Sequence, residues 1–416
     1  MADLRLPTEA EEIWRYSGID RFDLERFGPA TAPAGRADLE AARAMADRLG
    51  PRSALVVTAQ GRVVHAELEP ASPRALVAEV STRPVASEPD AGTSADAFSV
   101  LHDAFVSEML LVSVPDRLVV RHPVVVVHLV DTATPASAAA APACFPHAVV
   151  EVGSGAEGAV VEVLISSDPA TPDGAALVVP VSELRVGPGG RLSYANLQVL
   201  GTGTTQIALQ RSRIEAHATL RSFTVSLGGR YARVCTDSDL VGRGSSSALL
   251  AAYLGIGDQV HDFRTMQDHR AAHTGSELLF TGAVADRARS VYSGLIRIRH
   301  GAVRADARQT NHNLVLSEGA HADSVPNLDI DENDVKCSHA STVGPIDEEQ
   351  RYYLESRGIE PADAERLIVL GFFADIAARS PFPDVGAWVS QSVTWRLAGR
   401  LPAEQEPLPA VGSAGG

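Results

Sequence analysis

Leu220-Arg-Ser-Phe-Thr-Val-Ser-Leu227, Ala248-Leu-Leu-Ala-Ala-Tyr-Leu-Gly-Ile256, Leu278-Leu-Phe-Thr-Gly-Ala-Val284 and Val291-Tyr-Ser-Gly-Leu-Ile-Arg-Ile-Arg299 follow one another in under a hundred residues. Each is a short run of β-branched, aromatic and small residues, too short for a typical helix and bounded by turn residues. The same texture extends back to about residue 115, through Leu118–Val130, Ala148–Ile165, Leu177–Val186, Leu192–Leu200 and Ile207–Ser212. Small-residue corners recur: Gly153-Ser-Gly-Ala156, Gly187-Pro-Gly-Gly190, Glu215-Ala-His-Ala218, Gly242-Arg-Gly-Ser245, His300-Gly-Ala-Val303 and Glu318-Gly-Ala-His321. Their spacing is irregular, so no strict repeat is present. A sandwich, a barrel or a parallel β-helix all fit. Two features favour the β-helix. Asn-Gly and Asp-Gly hairpin turns are scarce, and small β-branched residues suit side chains stacked from rung to rung.

The flanks read differently. Residues 1–112 form a mixed region with a helix over Gly35–Gly50, a hairpin over Leu55–Leu68 around Gln60-Gly61, and a helix over Asp96–Leu111. The Pro- and Ser-containing stretch Glu69–Gly92 reads as a loop or mobile insertion. The β core spans 113–344 and helices resume over 345–401. Asp347 with Gln350 three residues on resembles a capping box, Gly358 is a natural helix stop, and Pro361 opens the next helix. That helix sets Ala364, Leu367, Ile368, Gly371, Phe372 and Ile376 on one face. A third covers Val385–Leu401, and the tail 402–416 reads as disordered.

Composition narrows function. Lys336 is the sole lysine of 416 residues, so neither a P-loop nor a kinase core is present, and Schiff-base chemistry has no buried lysine. The 36 basic residues against 52 acidic ones leave a net charge of −16, which argues against nucleic acid or an anionic membrane as partner. Cys144, Cys235 and Cys337 are odd in number and far apart, as in a reducing compartment. The acidic start lacks an apolar secretory core and no run spans a bilayer, so a cytoplasmic location is expected.

Several motifs dissolve on inspection. Gly153-Ser-Gly155-Ala-Glu-Gly158 fits G-x-G-x-x-G, but a Val-rich strand follows where a nucleotide site needs a helix. Asp329-Ile-Asp331-Glu-Asn333 opens like a calcium loop, yet Asp334 replaces its glycine and Ala340 its bidentate Glu. A solvated acidic turn fits better. His269 and His273 lack H-E-x-x-H surroundings and read as surface or rung-stacked histidines. In Asp334-Val-Lys-Cys337-Ser-His339, an extended backbone projects Cys337 and His339 to the same side. Thiolate and imidazole together suit iron, zinc or an Fe–S species. A closed site normally takes four ligands, so His312, His321 or another chain would have to contribute. A buried structural Cys and a hydrogen-bonded His remain the plain alternative.

Asn311-His-Asn-Leu-Val-Leu-Ser317, Ser324-Val-Pro-Asn-Leu-Asp-Ile330, Asp334–Gly344 and Ile346–Ile359 closely resemble the SufB/SufD family. His273-Thr-Gly-Ser276, Ser290–Ile296 and Glu12-Ile-Trp-Arg-Tyr16 fit the same family. The resemblance implies a mainly β protein: a right-handed parallel β-helix with α-helical N- and C-terminal regions. It also implies a non-catalytic subunit of the Suf iron–sulfur assembly scaffold, paired with a SufB-like paralogue and carrying a SufC ATPase. SufC would dock on the C-terminal helices, with Tyr352, Tyr353, Arg357, Leu367, Ile368 and Phe372 as candidates. No cofactor would be held tightly by the isolated chain. A transient Fe–S cluster or iron would be shared with SufB at the histidine of the Cys-Ser-His motif, here His339, with Cys337 beside it. SufD fits better than SufB, because the segment Ser317–Pro326 lacks the cysteine and Ala340 replaces the Glu that SufB relatives carry. A SufB-like homodimeric scaffold, a self-contained metalloenzyme and a β-helix polysaccharide-acting enzyme stay open as alternatives.

Overall fold

The computed structural model describes residues 5–30, 36–69, 77–81, 96–132, 140–166 and 174–399. Its strands coil into a parallel β-helix with two long faces, one a sheet of twelve described strands and the other of ten. The chain alternates between them. Tyr231–Leu240, Val260–His269, Arg289–Ile298 and His321–Ile330 stack in the first sheet, while Ser246–Gly255, Gly275–Val284, Asp306–Val315 and Lys336–Gly344 stack in the second.

In-register parallel pairing places like residues in files. Leu249 lies beside Leu278, and Val225 beside Ala252. Inside the coil Tyr253, Phe263, Phe280 and Tyr292 form a continuous aromatic stack with centroids 4.6–5.6 Å apart, within the favourable range for ring pairs. The corners also bond rung to rung: Gly189 N–H donates to Ala216 O, His217 to Arg243 O, and Gly244 to Ala272 O. Gly242 is required by space, since a Cβ there would lie 1.9 Å from Ala216 N.

The outer face of the ten-stranded sheet is apolar and lies under helices. Among the five described α-helices, α1 (Arg36–Arg48), α4 (Pro361–Ala378) and α5 (Pro383–Leu397) bury Phe223, Leu250, Leu254, Phe373 and Trp388 in one core, while α2 (Ala97–Phe105) and α3 (Glu348–Ser356) lie elsewhere. The opposite sheet carries an outward ladder of matched charges instead. Asp262 accepts from Arg233 and Arg264, and Asp268 from Arg270 and Arg299. The N-terminal segment seals it, with Trp14 buried beneath the Arg233 guanidinium.

The hairpin about Gln60-Gly61 forms as read, both residues having positive φ. Asp347 caps α3 through the N–H groups of Glu349 and Gln350, and Gly358 stops it in a left-handed conformation. Other expectations shift. The helix expected over Asp96–Leu111 ends at Phe105, because Met109–Val114 pairs with His147–Val152 as a strand. The boundary set at 113 therefore falls within a strand, and Ala54–Ala59 also joins the ten-stranded sheet. Val77–Ser81, inside the expected loop, pairs antiparallel with Met109–Val114; the rest of 70–95 lies outside the described residues. On α4 the buried stripe is Ala364, Val369, Phe373, Ile376 and Ala377, whereas Leu367 and Gly371 face outward. α5 ends at Leu397, and the tail 402–416 is outside the described residues.

Candidate functional site

The last rung consists of His321–Ile330 and Lys336–Gly344, and both are edge strands. Their one-sided pairing leaves a row of backbone N–H and C=O groups without a ladder partner. Val325, Leu328, Ile330 and Val343 are 37–44% exposed there, and by register Leu328, Ile330 and Val343 face inward, where a covering rung would bury them.

Register fixes where the candidate ligands point. Lys336–Gly344 pairs with Asp306–Val315 so that Cys337 lies beside Ala307 and His339 beside Gln309. Ala307, Gln309, Asn311 and Asn313 are the buried, inward alternates of their strand. Cys337 and His339 therefore occupy inward files together. Cys337 is half-buried against Ile296, Ile298, Ala302, Ala305 and Ala307, whereas His339 is exposed because no further rung covers it. Burial, and secondarily the Asp306 carboxylate, raises the Cys337 thiol pKa. A neutral thiol is a poor ligand until a metal or a partner charge displaces its proton.

The weaker candidates are not brought to this pair. His312 has the opposite parity and lies beside Thr342 on the outer face. His321 is on the other sheet, exposed and bonded to Asp323 Oδ1 at 3.1 Å. No cluster of three or more His, Cys, Asp or Glu forms among the described residues. The sequence offered little to single out Gln309, yet its buried amide, one rung inward of His339, makes no hydrogen bond.

Other motifs take their plainer readings. The glycines at 153–158 form a strand-to-strand turn. In the acidic turn Asp329 pairs with Arg297, Asp334 with Arg304, and Glu332 accepts the Gly301 N–H. His269 is buried, bonded to Thr274 Oγ1 and Ser276 Oγ, with its pKa lowered to about 4 by desolvation. His273 sits on a corner at φ 61°. Cys144 is buried and its pKa pushed up to about 12; burial likewise takes Cys235 to about 11.

On the C-terminal helices Tyr352 and Tyr353 are 73% and 58% exposed, and the Arg357 guanidinium lies 5.2 Å from the Tyr353 ring. Leu367 is exposed on α4, while Ile368 is half-buried and Phe372 packs against the helical core. No described residue of α3 is buried. No described helix is long and apolar enough to cross a membrane.

A family model described as the SufBD core domain of SUF system FeS cluster assembly matches residues 135–372, more than half the chain. The chain belongs to the SufB/SufD family. The matched span runs from within the β-helix to α4 and includes Cys337 and His339. Among SufB/SufD relatives, the chain is 30% identical to the iron–sulfur cluster assembly protein SufD of Bacillus subtilis over 288 residues, 69% of this chain and 64% of that one. It is 37% identical to SufD of Escherichia coli over 185 residues, covering 44% and 43% of the two chains. An iron–sulfur cluster assembly SufBD family protein of Mycobacterium tuberculosis is 35% identical over 223 residues, covering 52% and 56%. The chain thus spans about half the length of the curated relatives it matches. These SufD names and the parallel β-helix both agree with the family resemblance carried by the 311–359 motifs.

Proposed function

We propose that the chain is the SufD-like, non-catalytic subunit of an iron–sulfur cluster assembly scaffold, pairing with a SufB-like paralogue and recruiting a SufC-type ATPase. One observation carries this reading: Cys337 and His339 share the inward side of a terminal edge strand in a SufB/SufD chain with SufD-named relatives. The partner's own edge strands would continue both sheets and cover Leu328, Ile330 and Val343. Iron or the nascent cluster is cargo. Cys337 would give up its thiol proton to solvent as it binds, and His339 would offer a ring nitrogen. Two ligands leave a tetrahedral site half filled, so the remainder comes from the partner, and the isolated chain keeps no cofactor. ATP hydrolysis belongs to the SufC-type subunit, in line with the absent P-loop lysine.

The exposed Tyr352, Tyr353 and Arg357 at α3 and Leu367 on α4 suit the ATPase, with Ile368 and Phe372 as the further candidates on α4. Deleting 345–416 would be a poor test, because α4 and α5 cover the apolar face of the ten-stranded sheet. The paired variant Tyr352→Ala/Leu367→Asp leaves that core intact and should abolish SufC co-purification. For the ligand assignment, His339→Ala should still assemble with both partners but form little cluster by absorbance and iron analysis. Full cluster yield from that complex would refute it.

A further inference from the structure

Away from the terminal rung, the N-terminal segment and the twelve-stranded sheet enclose a cleft of about 550 Å³. Its lining includes Arg26, Arg230, Arg287 and Arg289 against only Asp23 and Asp258. That is an excess of two positive charges on a chain of net charge −16. Several other arginines on this sheet are matched to carboxylates, as Arg233 and Arg264 are to Asp262 and Arg297 is to Asp329. Here only Arg287 is matched, by a bidentate pair to Asp258 at 2.8 and 3.0 Å. Arg230 feels the same carboxylate at longer range. Among the described residues no hydrogen bond or ion pair engages the guanidinium groups of Arg26, Arg230 and Arg289.

Register holds these charges near one another. Tyr231 pairs with Val260 and Val260 with Arg289, so Arg230 and Arg289 stand about two rungs, or roughly 10 Å, apart. Gathering like charges without counter-charges is unfavourable, and a multivalent anion relieves it. Guanidinium forks match phosphate oxygens bidentately. Ile19, Phe22 and Val260 add apolar wall beside the hydroxyl-bearing Ser17 and Thr205, and the volume is that of a small-molecule site. The strongly negative chain as a whole disfavours a long polyanion.

We propose that this cleft binds a small oligophosphate-bearing metabolite through Arg26, Arg230 and Arg289, independently of the cluster-assembly reading. Calorimetric titration of the full chain with inorganic pyrophosphate tests it. The expected result is one saturable site that weakens as salt is raised. The exposed-surface double variant Arg230→Gln/Arg289→Gln should bind at least about tenfold more weakly, with an unchanged melting temperature. Should that variant fold poorly, Arg26→Gln on the facing wall should produce the same weakening. Absence of saturable binding, undiminished binding by the folded variants, or equally tight binding of citrate would overturn the assignment.

Discussion

The two ends of the β-helix are finished in opposite ways. At the N-terminal end Arg62–Leu68 and Val77–Ser81 turn antiparallel onto the sheets, and every residue of Val124–Val130 is buried. At the C-terminal end His321–Ile330 and Lys336–Gly344 pair on one side only, and most of their residues are half-buried or exposed. The antiparallel strands close the N-terminal end over the buried rung within one chain, although they are themselves outer strands paired on one side only. The open end offers the same backbone groups and apolar alternates with nothing upon them, and there the Cys-Ser-His motif lies. The C-terminal end keeps parallel register to its last strand, the arrangement that the proposed partner would continue.

The contrast can be broken most forcefully by placing a charge at each end. Val126→Asp buries an unpaired carboxylate at the closed end and should cost more than about 4 kcal/mol, read as loss of soluble folded chain. Leu328→Asp at the open end should leave the melting temperature within about 2 °C but abolish pairing with the SufB-like partner on size-exclusion chromatography. Similar behaviour of the two variants would erase the distinction. Phe223→Ala, in the apolar face under the helices, should destabilise by about 3–5 kcal/mol in urea unfolding.

The buried histidines sharpen the comparison by pH. Desolvation lowers the pKa of His102 and His261 to about 3 and of His269 to about 4. Each stays neutral in the folded chain, whereas the unfolded chain takes up a proton below about pH 6.5. Stability is thus fully present above that pH and is lost as pH falls toward 4, by up to about 1.4 kcal/mol per unit per site. Melting curves between those values check the sign. Near the open end, loss of the cap in Asp347→Ala should cost only about 1 kcal/mol and leave melting of the β-helix unchanged. Alkylation of the native chain should modify Cys337 slowly and spare the buried Cys144, with mass spectrometry locating the label.

Much of this was legible in the sequence where one face of an element is apolar. The Val-rich strands, the corners at Gly187–Gly190 and Gly242–Ser245, the Asp347 cap and the Gly358 stop all follow from local rules. Tyr231–Leu240, Val260–His269 and Asp306–Val315 were harder to see, because Asp, Arg, His and Gln occupy both their faces. Asp262 and Asp268 among these groups are satisfied by arginines of the neighbouring rung, and no local pattern records a partner about 30 residues away. The same non-local register separates His312 and His321 from Cys337 and His339. Met109–Leu111 continues a helical pattern because a short apolar run does not show by itself whether its period is that of a strand or a helix.

Hydrogen–deuterium exchange of the full chain, alone and mixed with the SufB-like partner, tests the central claim most directly. The account predicts that amides of 321–330 and 336–344 exchange quickly in the free chain and become strongly protected in the mixture, with 124–130 protected in both. Protection appearing elsewhere while the terminal strands exchange unchanged would contradict it.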